Sequence, residues 1–137
     1  MSETARRLRN ESGSVLVAGL LLTLALLMVI GAAVDIGNAF IVRRHLVALA
    51  DQAALTGGQA IDLGALHQGT LVLDPQTAQA DALQSLAGTT SIHAATSATP
   101  TSVEVRIDET VPTIFLRLVG VARFQVAATA TAAPRLP

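Results

Sequence analysis

Residues Ser12 to Val34 carry no charged side chain, and their centre, VLVAGLLLTLALLMVIGAAV from Val15 to Val34, is almost wholly apolar. Some 18 or more apolar residues without charge are read as a transmembrane helix, because about 20 residues at 1.5 Å rise cross a hydrocarbon core of ~30 Å. Twelve residues of the run are Leu, Ile or Val. Their summed insertion preference is about −4 to −7 kcal/mol, partly offset by Gly19, Thr23 and Gly31. A buried helix of a soluble protein would need cover on all sides, and the rest of the chain is too short to give it.

A basic head, Arg6, Arg7 and Arg9, precedes the run, whereas Asp35 follows it and Arg43 and Arg44 come only some turns later. The excess of positive charge near the first end orients a single span with its N-terminus in the cytoplasm and residues 35–137 outside. The sequence therefore divides into a cytoplasmic basic head (1–13), a transmembrane helix (14–34), a projecting continuation of that helix (35–58) and a small extracytoplasmic α+β domain (59–137). An alternative stays open: residues 1–33 as a signal peptide, with small Gly31 and Ala33 near the cut, releasing a small secreted binding domain. Against it, the apolar region exceeds the usual ~7–15 residues and the helical pattern passes Val34 without a break.

Beyond the span, Ala39, Val42, Leu46, Leu49, Ala50 and Ala53 fall within about 100° on a helical wheel, and Gly57-Gly58 is a stop signal. Residues 59–73 read as a loop containing Gly64 and Gly69. Asp74-Pro75 is an N-cap with Pro at the first helical position, so a short helix carrying Ala78, Ala82, Leu83 and Leu86 follows, ended by Gly88. Ser91–Ser97 is a weak strand. Ser102–Asp108 alternates cleanly, with Val103, Val105 and Ile107 against Glu104 and Arg106. After Pro112, TIFLRLVG predicts one or two helical turns closed by Gly120. Phe124, Val126, Ala128 and Ala130 alternate in a last strand. The fold class is α+β: a long N-terminal helix continuing outward and packed against a small antiparallel sheet, a pilin-like arrangement.

Several chemistries are disfavoured. His45, His67 and His93 have no metal-ligand spacing and the chain has no Cys, so neither a metal site nor a cofactor is expected. There is no G-x-S-x-G elbow and no phosphate-binding glycine loop. Asp108 and Glu109 are strand neighbours pointing to opposite faces, a poor acid/base pair and more simply the polar end of a strand. An enzyme is not expected. A net charge of −1 with only Phe40, Phe115 and Phe124 as aromatics gives no reason to expect a nucleic-acid partner. Asp35 is most simply a solvated boundary residue, with a salt bridge to a neighbouring subunit as the sharper reading. Arg43-Arg44 reads as a solvated or headgroup-contacting patch, with partner docking as the sharper reading. Ala18-Gly19 and Gly31-Ala32-Ala33 leave two small-residue notches through which another helix, including one of a second copy, can approach.

The sequence ESGSVLVAG, the apolar span, AVDIGNAFIVRRHLVALADQAAL and the terminal VAATATA resemble TadE/TadG-like proteins of tight-adherence (Flp-type) pilus systems. The matching features are the Gly-Ser step before the helix, Asp35 and Gly37 at its outer end, the basic pair, and Asp51, Ala53, Ala54 and Leu55 in a D-x-A-A-L segment. The resemblance covers the first 60 residues and the last ten. It implies a membrane-anchored structural or assembly component whose partners are pilus or pilus-assembly proteins. Asp35, Arg43, Arg44 and Asp51 are the candidate interaction residues. In pilins of this kind a peptidase cuts after a Gly before the apolar helix, which places a processing site at Gly13-Ser14. A Glu usually stands five residues past the cut; here that position is Ala18, which favours the uncut, TadG-like sort.

Overall fold

The computed structural model describes residues 3–136, with side chains from Gly13 onward, so the basic head's Arg6, Arg7 and Arg9 lie outside the described side chains. A single unbroken helix, α1, runs from Glu3 to Gly57. It passes Val34 without interruption, as the apolar period across that point requires. Its segment from Gly13 to Gly57 is long and apolar enough to cross a membrane. Most large side chains of the span are exposed: Leu16 and Leu22 are each 72 % exposed and most others exceed half.

Five further elements and a 3₁₀ turn follow. They are α2 (Leu63–His67), α3 (Pro75–Ser85), β1 (Ile92–Thr99), β2 (Ser102–Pro112), the 3₁₀ turn (Leu116–Val119) and β3 (Arg123–Ala132). The fold is α+β, with a three-stranded antiparallel sheet in the order β1-β2-β3. Contacts divide the chain into two compact units, Met1–Gly37 with Thr113–Ala122, and Asn38–Pro112 with Arg123–Pro137.

The second unit holds the core. Leu46, Ala50 and Ala53 of α1 are fully buried, as are Val103, Val105 and Ile107 of β2. They share one cluster with Ala78 and Ala82 of α3, and Ala39, Val42 and Leu49 pack at its margin. The wheel face of α1 is thus the buried face. The middle strand supplies the bulk, and its partners are small. Ile107 lies opposite Ala94 and Ala128, and Val103 opposite Ala98 and Ala132. Burial of a Val or Ile side chain contributes about 1.5–3 kcal/mol. Alanines beside it let a helix approach the sheet closely. The same economy of volume operates at the end of α1, where a Cβ on Gly57 would lie 2.7 Å from the carbonyl oxygen of Ala78 and 3.3 Å from Ala82 Cβ.

Asp74 caps α3 as its Asp-Pro signature requires: Oδ1 accepts from the Gln76 N–H and Oδ2 from the Thr77 hydroxyl. Two details depart from the sequence reading, the loop before Asp74 and the role of Asp108 and Glu109. The segment expected to be loop contains α2, because the Asp62 carboxylate accepts the N–H groups of Gly64 and Ala65 and nucleates a turn. Leu83 of α3 is 44 % exposed, leaving Ala78, Ala82 and Leu86 as its buried stripe. Asp108 and Glu109 do not end a strand, since β2 pairs with β3 as far as Pro112.

Candidate functional site

The first unit contains a contact that joins residues far apart in the chain. α1 presents Gly31 and Asp35 four residues apart, hence one above the other on a single face. Against them lies the connection between β2 and β3, Thr113–Ala122. Asp35 Oδ1 accepts the N–H of Ile114 at 2.9 Å, and Oδ2 accepts those of Phe115 at 2.8 Å and Leu116 at 2.7 Å. The N–H groups of Phe115 and Leu116 are among those that the start of the 3₁₀ turn leaves without partners, and that of Ile114 directly precedes them; no side chain near the turn in sequence caps it. The carboxylate supplied by α1 therefore performs the capping. Gly31 makes room for the neighbouring ring: a Cβ there would lie 2.4–2.6 Å from Phe115 side-chain atoms.

Asp35 is only 5 % exposed, so the solvated boundary residue expected from sequence is instead a covered acceptor of three hydrogen bonds. Burial pushes its carboxyl pKa up, but the N–H groups of Leu116, Ile114 and Phe115 pull it down by more, and the pKa lies below the usual carboxylate value. The rest of the connection closes on itself. Thr113 donates its hydroxyl to the Val121 carbonyl and its N–H to Ala122. Gly120, at φ 95°, ends the turn in the left-handed conformation that a glycine adopts without penalty. This closure matches the helical turn and Gly120 stop expected for TIFLRLVG.

The second unit carries the other predicted residues. Arg43, Arg44 and Asp51 are exposed and, with Phe40, Val47 and Ala48, line one shallow groove along α1. Spacings of three, four, seven, eight and eleven residues place all six on one stripe of the helix. The stripe joins an apolar strip, in which Phe40 is 61 % and Val47 40 % exposed, to two cations and one anion.

Gly13 is helical, with nothing within 4 Å of the position a Cβ would occupy, and Ser14 is exposed. Of the two small-residue notches, the one at Gly31 is occupied by Phe115 of the same chain, while Gly19 has no neighbour within 4 Å. His45, His67 and His93 are exposed and lie on three different elements. Among the described residues, no group of three His, Asp or Glu side chains could hold a metal ion. The Asp35 contact was missed in the sequence because it links positions some eighty residues apart. Its signal was indirect: an acid at the end of an apolar span, and a loop rich in large apolar residues where polar ones are the rule.

Residues 42–132 match the family model described as Tad-like Flp pilus-assembly, and residues 13–60 match the one described as Flp pilus-assembly TadE/G-like. No curated protein and no solved structure gives a significant match.

Proposed function

The chain belongs to the Tad-like Flp pilus-assembly family, and from that membership we propose that it is a membrane-anchored structural or assembly component of a tight-adherence (Flp-type) pilus or a related secretion apparatus. The observation that carries this reading is the juxtaposition of the two family matches with an apolar helix whose large side chains, from Val15 to Val34, are mostly more than half exposed. An uncovered run of this length is stable only in an apolar medium. The anchor holds the chain in the cell membrane with Arg6, Arg7 and Arg9 on the cytoplasmic side. The sheet domain then stands outside, where pilus subunits or their assembly partners meet it.

The groove bearing Arg43, Arg44 and Asp51 is the face proposed for those partners. It combines apolar area with both signs of charge, a composition suited to a specific protein contact, and it faces away from the chain's own core. Uncut anchorage is preferred to release as a secreted domain, because cleavage near Val34 would separate Gly31 from Phe115 and divide α1 beside the Asp35 clamp.

Complementation tests the proposal. A strain lacking the gene is expected to lose piliation and surface adherence, and the wild-type gene to restore both. The double charge reversal Arg43→Glu with Arg44→Glu is expected to accumulate in the membrane at the normal level yet fail to restore piliation. Normal piliation in the deletion strain would falsify the assembly role. Full rescue by the double variant would remove the groove from it.

A further inference from the structure

We propose that the connection between β2 and β3, residues 113–122, is a second membrane contact that inserts its apolar side chains into the lipid leaflet beside the anchor helix. The inference rests on the reading of α1 as a membrane anchor and goes beyond it, since an anchored domain needs no further lipid contact.

Composition is the first ground. A connection in water is ordinarily polar. Here Ile114 and Leu118 are 71 % and 73 % exposed, and Val119 is 60 % exposed. Only Thr113 and Arg117 are polar, and Thr113 is buried and spends its hydroxyl on the Val121 carbonyl. Arg117 is thus the one exposed polar side chain of the segment.

The second ground is the backbone. In lipid, polar main-chain groups must be satisfied without water. The N–H groups of Ile114, Phe115 and Leu116 donate to Asp35. Those of Thr113, Leu118, Gly120 and Val121 donate to carbonyls within the segment. The clamp and the turn together give these groups what water would otherwise supply.

Depth is the third. Phe115 rests on Gly31, one helical turn, or about 6 Å, on the lipid side of Asp35. The anchor surface around it is itself uncovered, with Val29, Ile30 and Val34 more than half exposed. The apolar surface of the segment is therefore continuous with that of the span, and the medium that covers one covers the other. A single arginine among leucines suits this position, because its stem can lie along the acyl chains while the guanidinium reaches the headgroup phosphates.

The absence of Cys makes a direct test available. Full-length protein carrying one nitroxide is reconstituted into phosphatidylethanolamine–phosphatidylglycerol vesicles, and collision with oxygen, which dissolves in lipid, is compared with collision with a water-soluble nickel chelate. Labels are placed by Leu118→Cys and Val119→Cys in the segment, Leu24→Cys in the span and Ser97→Cys on β1. Leu118 and Val119 are exposed, so the first two changes remove no packing. Both are expected to show an oxygen-to-nickel ratio several-fold above that of Ser97→Cys and close to that of Leu24→Cys. A low ratio in the segment with a high one at Leu24→Cys overturns insertion and leaves the anchor intact. Shielding of the segment from both agents means protein cover and also overturns it. A low ratio at Leu24→Cys removes the anchor reading itself, and this proposal with it.

Discussion

Asp35 illustrates how one carboxylate can order a segment to which it is not adjacent. Its two oxygens take three N–H groups, and charge-assisted bonds of this sort are roughly twice as strong as neutral ones. Asp35→Ala leaves three donors without an acceptor. Hydrogen exchange at Ile114, Phe115 and Leu116 is expected to accelerate roughly ten-fold or more, one lost bond to a charged group being sufficient for that factor. Exchange across the β2–β3 ladder, at Val105 for example, should stay unchanged. Asp35→Asn should fall between, because its amide can accept only through one oxygen. The sign of the pH effect follows from the lowered pKa. A depressed folded value means that the carboxylate stabilises the contact fully above the ordinary carboxyl pKa and loses that contribution as pH falls through the folded one. Protection of the three amides should therefore persist down to the ordinary value and vanish only in more acid solution, whereas Asp35→Asn should show no such transition. Exchange that ignores both substitution and acid would refute the clamp.

At the scale of elements, what the sequence made legible was whatever local spacing determines. The period-2 run around Val103, Val105 and Ile107 became β2, the stripe through Leu46, Ala50 and Ala53 became the buried face of α1, and Asp74-Pro75 became the start of α3. Each rests on a side-chain period or on a cap that the chain carries within a few residues. What escaped was set at longer range or by very short elements. α2 has five residues, too few for any period to show. Leu83 fits the helical stripe but faces away from the core because only the alanine face of α3 can approach Gly57 closely enough. The capping of the 3₁₀ turn by Asp35 has no local signature at all. The alternation in β2 gives a measurable contrast. Ile107→Ala is expected to destabilise the domain by about 2–5 kcal/mol, the usual loss for truncating a fully buried Ile to Ala. Glu104→Ala, on the exposed face of the same strand, should stay within about ±0.5 kcal/mol. Urea unfolding of the full chain in detergent, followed by circular dichroism, distinguishes the two. Equal effects would mean that β2 does not bury the face assigned to it.

For the molecule as a whole, the continuity of α1 decides how the chain can be processed. A cut after Ala33 would release residues 34–137 without Gly31, and Phe115 would lose the notch it fills. The Asp35 carboxylate would then stand beside a new, fraying helix end instead of inside a helix. A cut after Gly13 leaves the clamp untouched, so the structure of the first unit does not oppose it. We propose that the helix nevertheless stays uncut, because Ala18 stands at the fifth position after the cut, where the resemblance to pilins implies an acid, and an acid at that depth would be kept only for a function. The three possibilities leave different tryptic peptides, because the chain has no Lys and no Arg between Arg9 and Arg43. Protein isolated from membranes is expected to yield the peptide Asn10–Arg43, the mark of an intact head. Ser14–Arg43 would signal prepilin-type cleavage despite Ala18. Val34–Arg43 would signal release, and with it a free domain whose exposed Ile114, Leu118 and Val119 would need cover from a protein instead of a bilayer.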